Sequence, residues 1–244
     1  MLINSTFMTR TTSSWFLRFI VSGYIMLISF ACNDKPVSKQ DVVLDSTNSS
    51  AEMKKPETTT SSKKNIMFFG DSLTAGYGLD EEESYPSLIQ NRIDSLGLSY
   101  QVINAGLSGE TTTGGLGRID WVLQQPIDVF VLALGSNDML RGLDLSLSKD
   151  NLRKILDKVR EHSPSAKIIL AGMLSPPNMG EDYSRGFNGM FGEIAKDYNA
   201  SLIPFLLEGV AGDPSLNLAD GKHPNAIGQT IVVENVWQIL KEVL

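Results

Sequence analysis

The chain has 244 residues, of which 42% are hydrophobic and 20% charged, with 21 glycines; wholesale disorder is excluded, and there is enough apolar material for one sizeable core. Formal charge is −7, from 21 basic and 28 acidic residues. Eight of the basic and five of the acidic residues precede residue 65, which leaves the remainder more acidic still and sets nucleic-acid binding aside, since such binding neutralises phosphates with Lys and Arg.

The first feature along the chain is a leader, read as residues 1–31. Arg10 and Arg18 precede an apolar stretch from Phe19 to Ala31, FIVSGYIMLISFA, which ends at Cys32, the one cysteine present. A basic region, a short apolar region and small residues in that order make an export signal, and the stretch is shorter than the roughly 20 residues a membrane-spanning helix needs. Two processing routes fit. Ser29-Phe30-Ala31 has the small-x-small form of an ordinary cleavage site, whereas Ala31-Cys32 resembles the end of a bacterial lipoprotein signal whose cysteine is lipidated. The expectation is an exported protein anchored to a membrane by a lipid on Cys32 and facing the periplasm or cell surface, with a soluble periplasmic or secreted form as the alternative. A single cysteine also leaves no intramolecular disulfide and no Cys-x-x-Cys metal site.

Residues 32–64 are polar and rich in Ser, Thr and Lys, without helical or strand periodicity, and read as a disordered tether. From Asn65 onward the pattern alternates, and residues 65–244 are taken as one domain. Apolar runs at 65–69, 100–105, 127–134, 166–174 and 201–205 have the length and β-branched content of buried parallel strands. Helical stretches lie between them at Tyr85 to Leu96, Thr113 to Gln124, Ser148 to His162 and Tyr183 to Tyr198, and a last one runs from Ala226 to Val243. Strand and helix in alternation predict one parallel sheet with helices on both faces, with ligands bound at the carboxyl ends of the strands.

The unusual polar residues fall where that rule places a site. Gly70-Asp71-Ser72 follows the first predicted strand, and the second runs into Ser108-Gly109-Glu110-Thr111. Gly135-Ser136-Asn137-Asp138 follows the third, and Asp220-Gly221-Lys222-His223 precedes the last helix. Together they hold a hydroxyl, a carboxylate, an imidazole, an amide and glycines, which is the inventory for acyl transfer: a nucleophile, a base, a group to orient the base and donors for an oxyanion.

Each residue also has a plainer reading. Ser72 suits a helix cap or tight turn, Asn137 a turn closing on its own backbone, and Gly109 a positive φ. Of the two histidines, His162 sits at the carboxyl end of a helix, where the dipole favours it. His223 lies three residues after Asp220, a spacing that lets the carboxylate hold one ring nitrogen while the other faces a nucleophile. Gly70, Gly76 and Gly78 raise a phosphate loop, but neither common phosphate-binding pattern is present.

The blocks GDSLTAGYG with Ser72, SGET with Gly109, GSND with Asn137 and DGKHP with Asp220 and His223 resemble, in order and placement, the SGNH (GDSL-type) hydrolases. More narrowly, GDSLTAGYG, INAGLSGETT, GSNDMLRG, SPPNMG and ADGKHPN are similar to the thioesterase I, arylesterase and lysophospholipase L1 group. The resemblance implies a flavodoxin-like three-layer α/β/α sandwich with a five-stranded parallel sheet, no metal and no organic cofactor. It also implies hydrolysis of carboxylic esters or thioesters: aryl esters, lysophospholipids or other acyl esters. By position, Ser72 is then the nucleophile, His223 the general base and Asp220 its orienter, with the oxyanion held by the backbone N–H groups of Ser72 and Gly109 and the side chain of Asn137.

Three rivals stay open: a deacetylase of acetylated carbohydrate, a catalytically silent surface binding module, and a metal-dependent phosphoesterase using Asp71, Asn137, Asp138 and His223. The segment 173–187, MLSPPNMGEDYSRGF, follows the fourth strand and is expected to overhang the site. Pro176, Pro177 and Met179 from it, with Met139 and Leu140, are the candidate contacts for an acyl chain of a small-molecule or lipid ester.

Overall fold

The computed structural model describes residues 63–244; the leader, Cys32 and nearly all of the tether lie outside the described residues. The strands are β1 (Lys64–Gly70), β2 (Tyr100–Gly106), β3 (Val129–Ala133), β4 (Lys167–Ala171) and β5 (Ser201–Ile203). The helices are α1 (Ser72–Ala75), α2 (Tyr85–Ser95), α3 (Thr112–Val122), α4 (Ser136–Leu140), α5 (Leu145–His162), α6 (Glu181–Asp197) and α7 (Ala226–Leu240). The five strands form one parallel sheet in the order β2-β1-β3-β4-β5. Helices α2 and α7 pack together as one layer, and α3, α5 and α6 form the other.

The inner strands lack alternation because both of their faces are covered. Ile66 to Phe69 of β1, Val129 to Leu132 of β3 and Ile169 and Leu170 of β4 are all buried. β2, at the sheet edge, instead mixes buried Tyr100 with exposed Gln101. Strand order reverses between β1 and β3, so the loops leaving those two strands diverge and open a crevice at their carboxyl ends.

Capping sets several helix starts. α5 begins three residues before the predicted Ser148 because the Asp144 carboxylate accepts from the N–H groups of Ser146 at 2.7 Å and Leu147 at 3.2 Å. Asn225 does the same for α7 through the N–H groups of Ile227 and Gly228, both at 3.0 Å. α7 stops at Leu240 rather than Val243, and β3, β4 and β5 are shorter than their apolar runs.

α1 lies directly on the strand ends, and two glycines paired in register make room for it. A Cβ on Gly106 would sit 2.3 Å from the Ala75 nitrogen, and one on Gly70 would sit 2.1 Å from Thr74 Oγ1 and 2.8 Å from the Ala133 carbonyl oxygen. The Gly106 obstacle is backbone and cannot rotate away. Gly106→Ala is expected to destabilise the domain by about 1–3 kcal/mol, the cost of overpacking a filled site; urea denaturation measures it, and unchanged stability would show that α1 does not depend on this contact.

Candidate active site

Asp71 is the cap of α1: its Oδ1 accepts the Leu73 N–H at 3.0 Å, which leaves Ser72 as the first residue of the helix. Ser72 is therefore held at the end of β1 by a turn that ends at once, since Gly76 takes the left-handed conformation with φ +75°. Asp71 itself is 1% exposed. Burial lifts its carboxyl to about 6, against the lowering effect of the Leu73 N–H and the nearby His223 ring.

The segment before α7 folds into a tight bend. Asn217 bridges to Pro224, the Leu218 N–H donates to the His223 carbonyl at 2.7 Å, and Gly221 supplies φ +67°. This bend brings the His223 ring to Ser72, with Nε2 to Oγ 2.9 Å, while Nδ1 lies 2.5 Å from Asp220 Oδ2. With the proton on Nδ1, Nε2 is free to accept from the serine hydroxyl. Asp220 Oδ1 accepts the N–H groups of Lys222 at 2.9 Å and His223 at 3.1 Å. The Lys222 N–H, followed by the His223 ring, holds the Asp220 carboxyl down at about 2, so it is ionised wherever the histidine can act as a base. Tyr77 lies against the His223 ring, with centroids 4.5 Å apart.

Two further loops close the array. Gly109, at φ +80°, sits in the turn after β2, and Asn137 lies in α4 after β3. Among the described residues the backbone N–H groups of Ser72 and Gly109 donate to no protein acceptor. Asn137 Nδ2 donates to the Glu110 carbonyl at 3.0 Å and, at a longer 3.3 Å, to Asp71 Oδ2. The loop is also anchored from behind. The Glu110 carboxylate is buried and paired with both Nε and Nη2 of Arg118, at 2.6 and 2.5 Å.

Ser72, Gly109, Asn137 and His223 all line one cavity of about 340 Å³. Met139 and Leu140 line it as expected from the sequence, but Pro176, Pro177 and Met179 do not. The chain turns away after β4: Pro177–Met179 form a short 3-10 turn leading into α6, and Met179 packs on the core. The segment 173–187 contributes its first two residues, Met173 and Leu174, and the sequence reading missed these together with Leu73, Tyr77, Phe205 and Leu207. Tyr77 was within reach, since it stands in the same block as Ser72; Phe205 and Leu207 follow a three-residue strand with no local signal.

Two other candidates are placed elsewhere. His162 ends α5 at the surface, with its Nδ1 3.2 Å from Ser163 Oγ. Asp138 turns under α4 to accept from the Thr112 N–H at 2.8 Å, Thr112 Oγ1 at 2.6 Å and Ser148 Oγ at 3.1 Å. The four side chains required by a metal-dependent phosphoesterase therefore do not converge.

A parallel sheet that carries a serine, a histidine and a carboxylate hydrogen-bonded in line at its carboxyl edge defines the class of serine hydrolases. Residues 68–231 match the GDSL-like lipase/acylhydrolase family, and the chain belongs to it. Among its relatives, esterase TesA of Pseudomonas aeruginosa is 37% identical over 188 residues, which cover 77% of this chain and 92% of TesA. The arylesterase of Vibrio mimicus is 35% identical over 176 residues, or 72% of this chain and 87% of that protein. The solved structure of the psychrotrophic esterase EstA from Pseudoalteromonas sp., inhibited by monoethylphosphonate, has a TM-score of 0.70 at 34% identity and covers 74% of this chain and 98% of EstA. The chain is thus an ester-hydrolysing enzyme of this family.

Asp71 has a consequence for stability. Its carboxyl is raised in the folded state, so between about pH 4 and 6 the folded chain binds a proton that the unfolded chain does not, and stability from this group falls as pH rises through that window. The expected loss is on the order of 2–3 kcal/mol for a shift of this size. Urea denaturation at pH 4.5 and 7 should show Asp71→Asn, which keeps the cap, gaining on wild type at the higher pH; a constant difference between the two proteins would refute it.

Proposed function

We propose that the protein hydrolyses carboxylic esters or thioesters through an acyl-enzyme on Ser72. The observation that carries this reading is the continuous line from Ser72 Oγ through His223 to Asp220, at 2.9 and 2.5 Å, at the mouth of an apolar cavity. Ser72 gives its proton to His223 Nε2 as its oxygen attacks the carbonyl carbon. His223, steadied by Asp220, then protonates the leaving group, and a water repeats the sequence to release the acid. Negative charge on the carbonyl oxygen is met by the unengaged N–H groups of Ser72 and Gly109. Asn137 contributes the N–H that rests on Asp71 at the longer 3.3 Å, the weaker of its two bonds and the one free to be exchanged.

The acyl chain lies in the cavity, against Leu73, Met139, Met173, Phe205 and Leu207. This apolar lining favours chains longer than acetyl, in lipid or aryl esters, over an acetylated carbohydrate. The leader and Cys32 support export, with a lipid on Cys32 and the polar tether holding the domain off a membrane surface; Cys32→Ser should then move the protein from the membrane to the soluble fraction, and retention of the variant on the membrane would oppose lipidation.

Purified protein should hydrolyse a chain-length series of p-nitrophenyl esters with or without chelator, with chains longer than acetyl preferred, and Ser72→Ala should lose this turnover. Activity that survives in Ser72→Ala overturns the mechanism, abolition by chelator points to the metal-dependent alternative, and preference for acetyl esters points to the deacetylase. A p-nitrophenyl alkylphosphonate should add its phosphonyl group to Ser72 and nowhere else, as read by peptide mass. Asn137→Ala is expected to lower kcat by a factor on the order of 10² to 10³, the usual cost of one oxyanion donor; wild-type kcat in a folded variant removes the residue from the hole.

A further inference from the structure

The donors assigned above to the oxyanion come from separate loops, Gly109 after β2 and Asn137 after β3. Their spacing has to be held closely for both to reach one atom. Helix α4 and its cap supply the hold. Asn137 and Arg141 stand four positions apart, on one side of a helical turn, and grip successive carbonyls of the facing loop: Asn137 Nδ2 donates to Glu110 at 3.0 Å and Arg141 Nη2 to Gly109 at 2.9 Å.

Gly109 is where such a grip matters. The Glu110 N–H donates to the Leu107 carbonyl at 3.1 Å, which closes a four-residue turn with Ser108 and Gly109 at its centre. Gly109 has φ +80°, the value found at the third residue of a type II turn. Glycine is free to adopt other conformations here, so where its peptide groups sit depends on what they bond. Arg141 is exposed and, among the described residues, has no carboxylate partner. No ion pair accounts for its orientation, and its hydrogen bond goes to the turn.

We propose that Arg141 is a positioning residue: its bond to the Gly109 carbonyl holds the turn so that the Gly109 N–H stays aimed at the oxyanion and in register with Asn137. This rests on the esterase reading above. A cation bound to a neutral carbonyl makes the stronger, charge-assisted kind of hydrogen bond, and the planar guanidinium reaches it without displacing α4.

The test is steady-state hydrolysis of a soluble short-chain p-nitrophenyl ester by the full chain, comparing wild type, Ser72→Ala and Arg141→Ala, with and without millimolar guanidinium. A misaligned donor costs less than a deleted one, so Arg141→Ala should lose about tenfold or more in kcat with KM within about twofold of wild type. Guanidinium should restore part of that loss in the variant and leave wild type unchanged. A variant kcat within about twofold of wild type overturns the proposal, and so does a loss carried wholly in KM, which would make Arg141 a substrate contact. If Arg141→Ala does not fold, Arg141→Met, which keeps the aliphatic stem and has no N–H donor, is judged by the same criteria. Absence of Ser72-dependent turnover in wild type overturns the esterase reading itself, and is told apart from failure of the positioning role by the Ser72→Ala control.

Discussion

Burial of the Asp71 carboxylate is the constraint around which the site is arranged. A carboxylate out of water has to be met by hydrogen bonds, and the donors nearest Asp71 come from two loops: the Leu73 N–H of its own turn and the Asn137 amide from α4. Satisfying it therefore draws the end of β1 toward the end of β3, across the point where strand order reverses. The same carboxylate caps α1 and so places Ser72 at the start of a helix, its backbone N–H outside the helix's own hydrogen bonds. A raised titration midpoint is the energetic mark of that arrangement.

The rest of the site is held by hydrogen bonds between its loops and the neighbouring helices. Asp138 fixes the start of α3 through Thr112, Arg118 grips the Glu110 side chain, Asn137 the Glu110 carbonyl and Arg141 the Gly109 carbonyl. Each of the four residues from Gly109 to Thr112 thus has at least one polar group bonded to α3, to α4 or to the cap of α4. A loop carries a functional backbone group with little rigidity of its own, and here the rigidity is borrowed from neighbouring helices. The Asp220–His223 bend is a different solution. It is closed mainly by its own hydrogen bonds, from Leu218 to His223 and from Lys222 and His223 to Asp220.

Most of the architecture was legible because its signals are local. Five apolar runs gave five strands, and the long helices were found within a few residues of their ends; the errors at α5 and α7 came from a cap and from a last turn that tightens to i→i+3 bonds at Glu242 and Val243. The two short helices α1 and α4 were not legible. At four and five residues they carry no periodicity, and they form because Asp71 caps one and because Gly135, at φ +122°, turns the chain into the other. The segment after β4 shows the limit of loop reading: its position next to the site followed from the sheet, but which of its residues turn inward depended on the 3-10 turn at Pro177.

Sequence by itself determined the class of fold, the four loops that meet at one sheet edge, and the serine, histidine and carboxylate among them, because strand periodicity and chain order carry that information. Tertiary structure decided which apolar side chains line the cavity and which helix holds the Gly109–Glu110 turn. Those outcomes rest on contacts between residues far apart in the chain, such as Asn137 with Glu110 or Phe205 with the pocket wall. The energies of such contacts depend on distances that no local pattern of residues encodes.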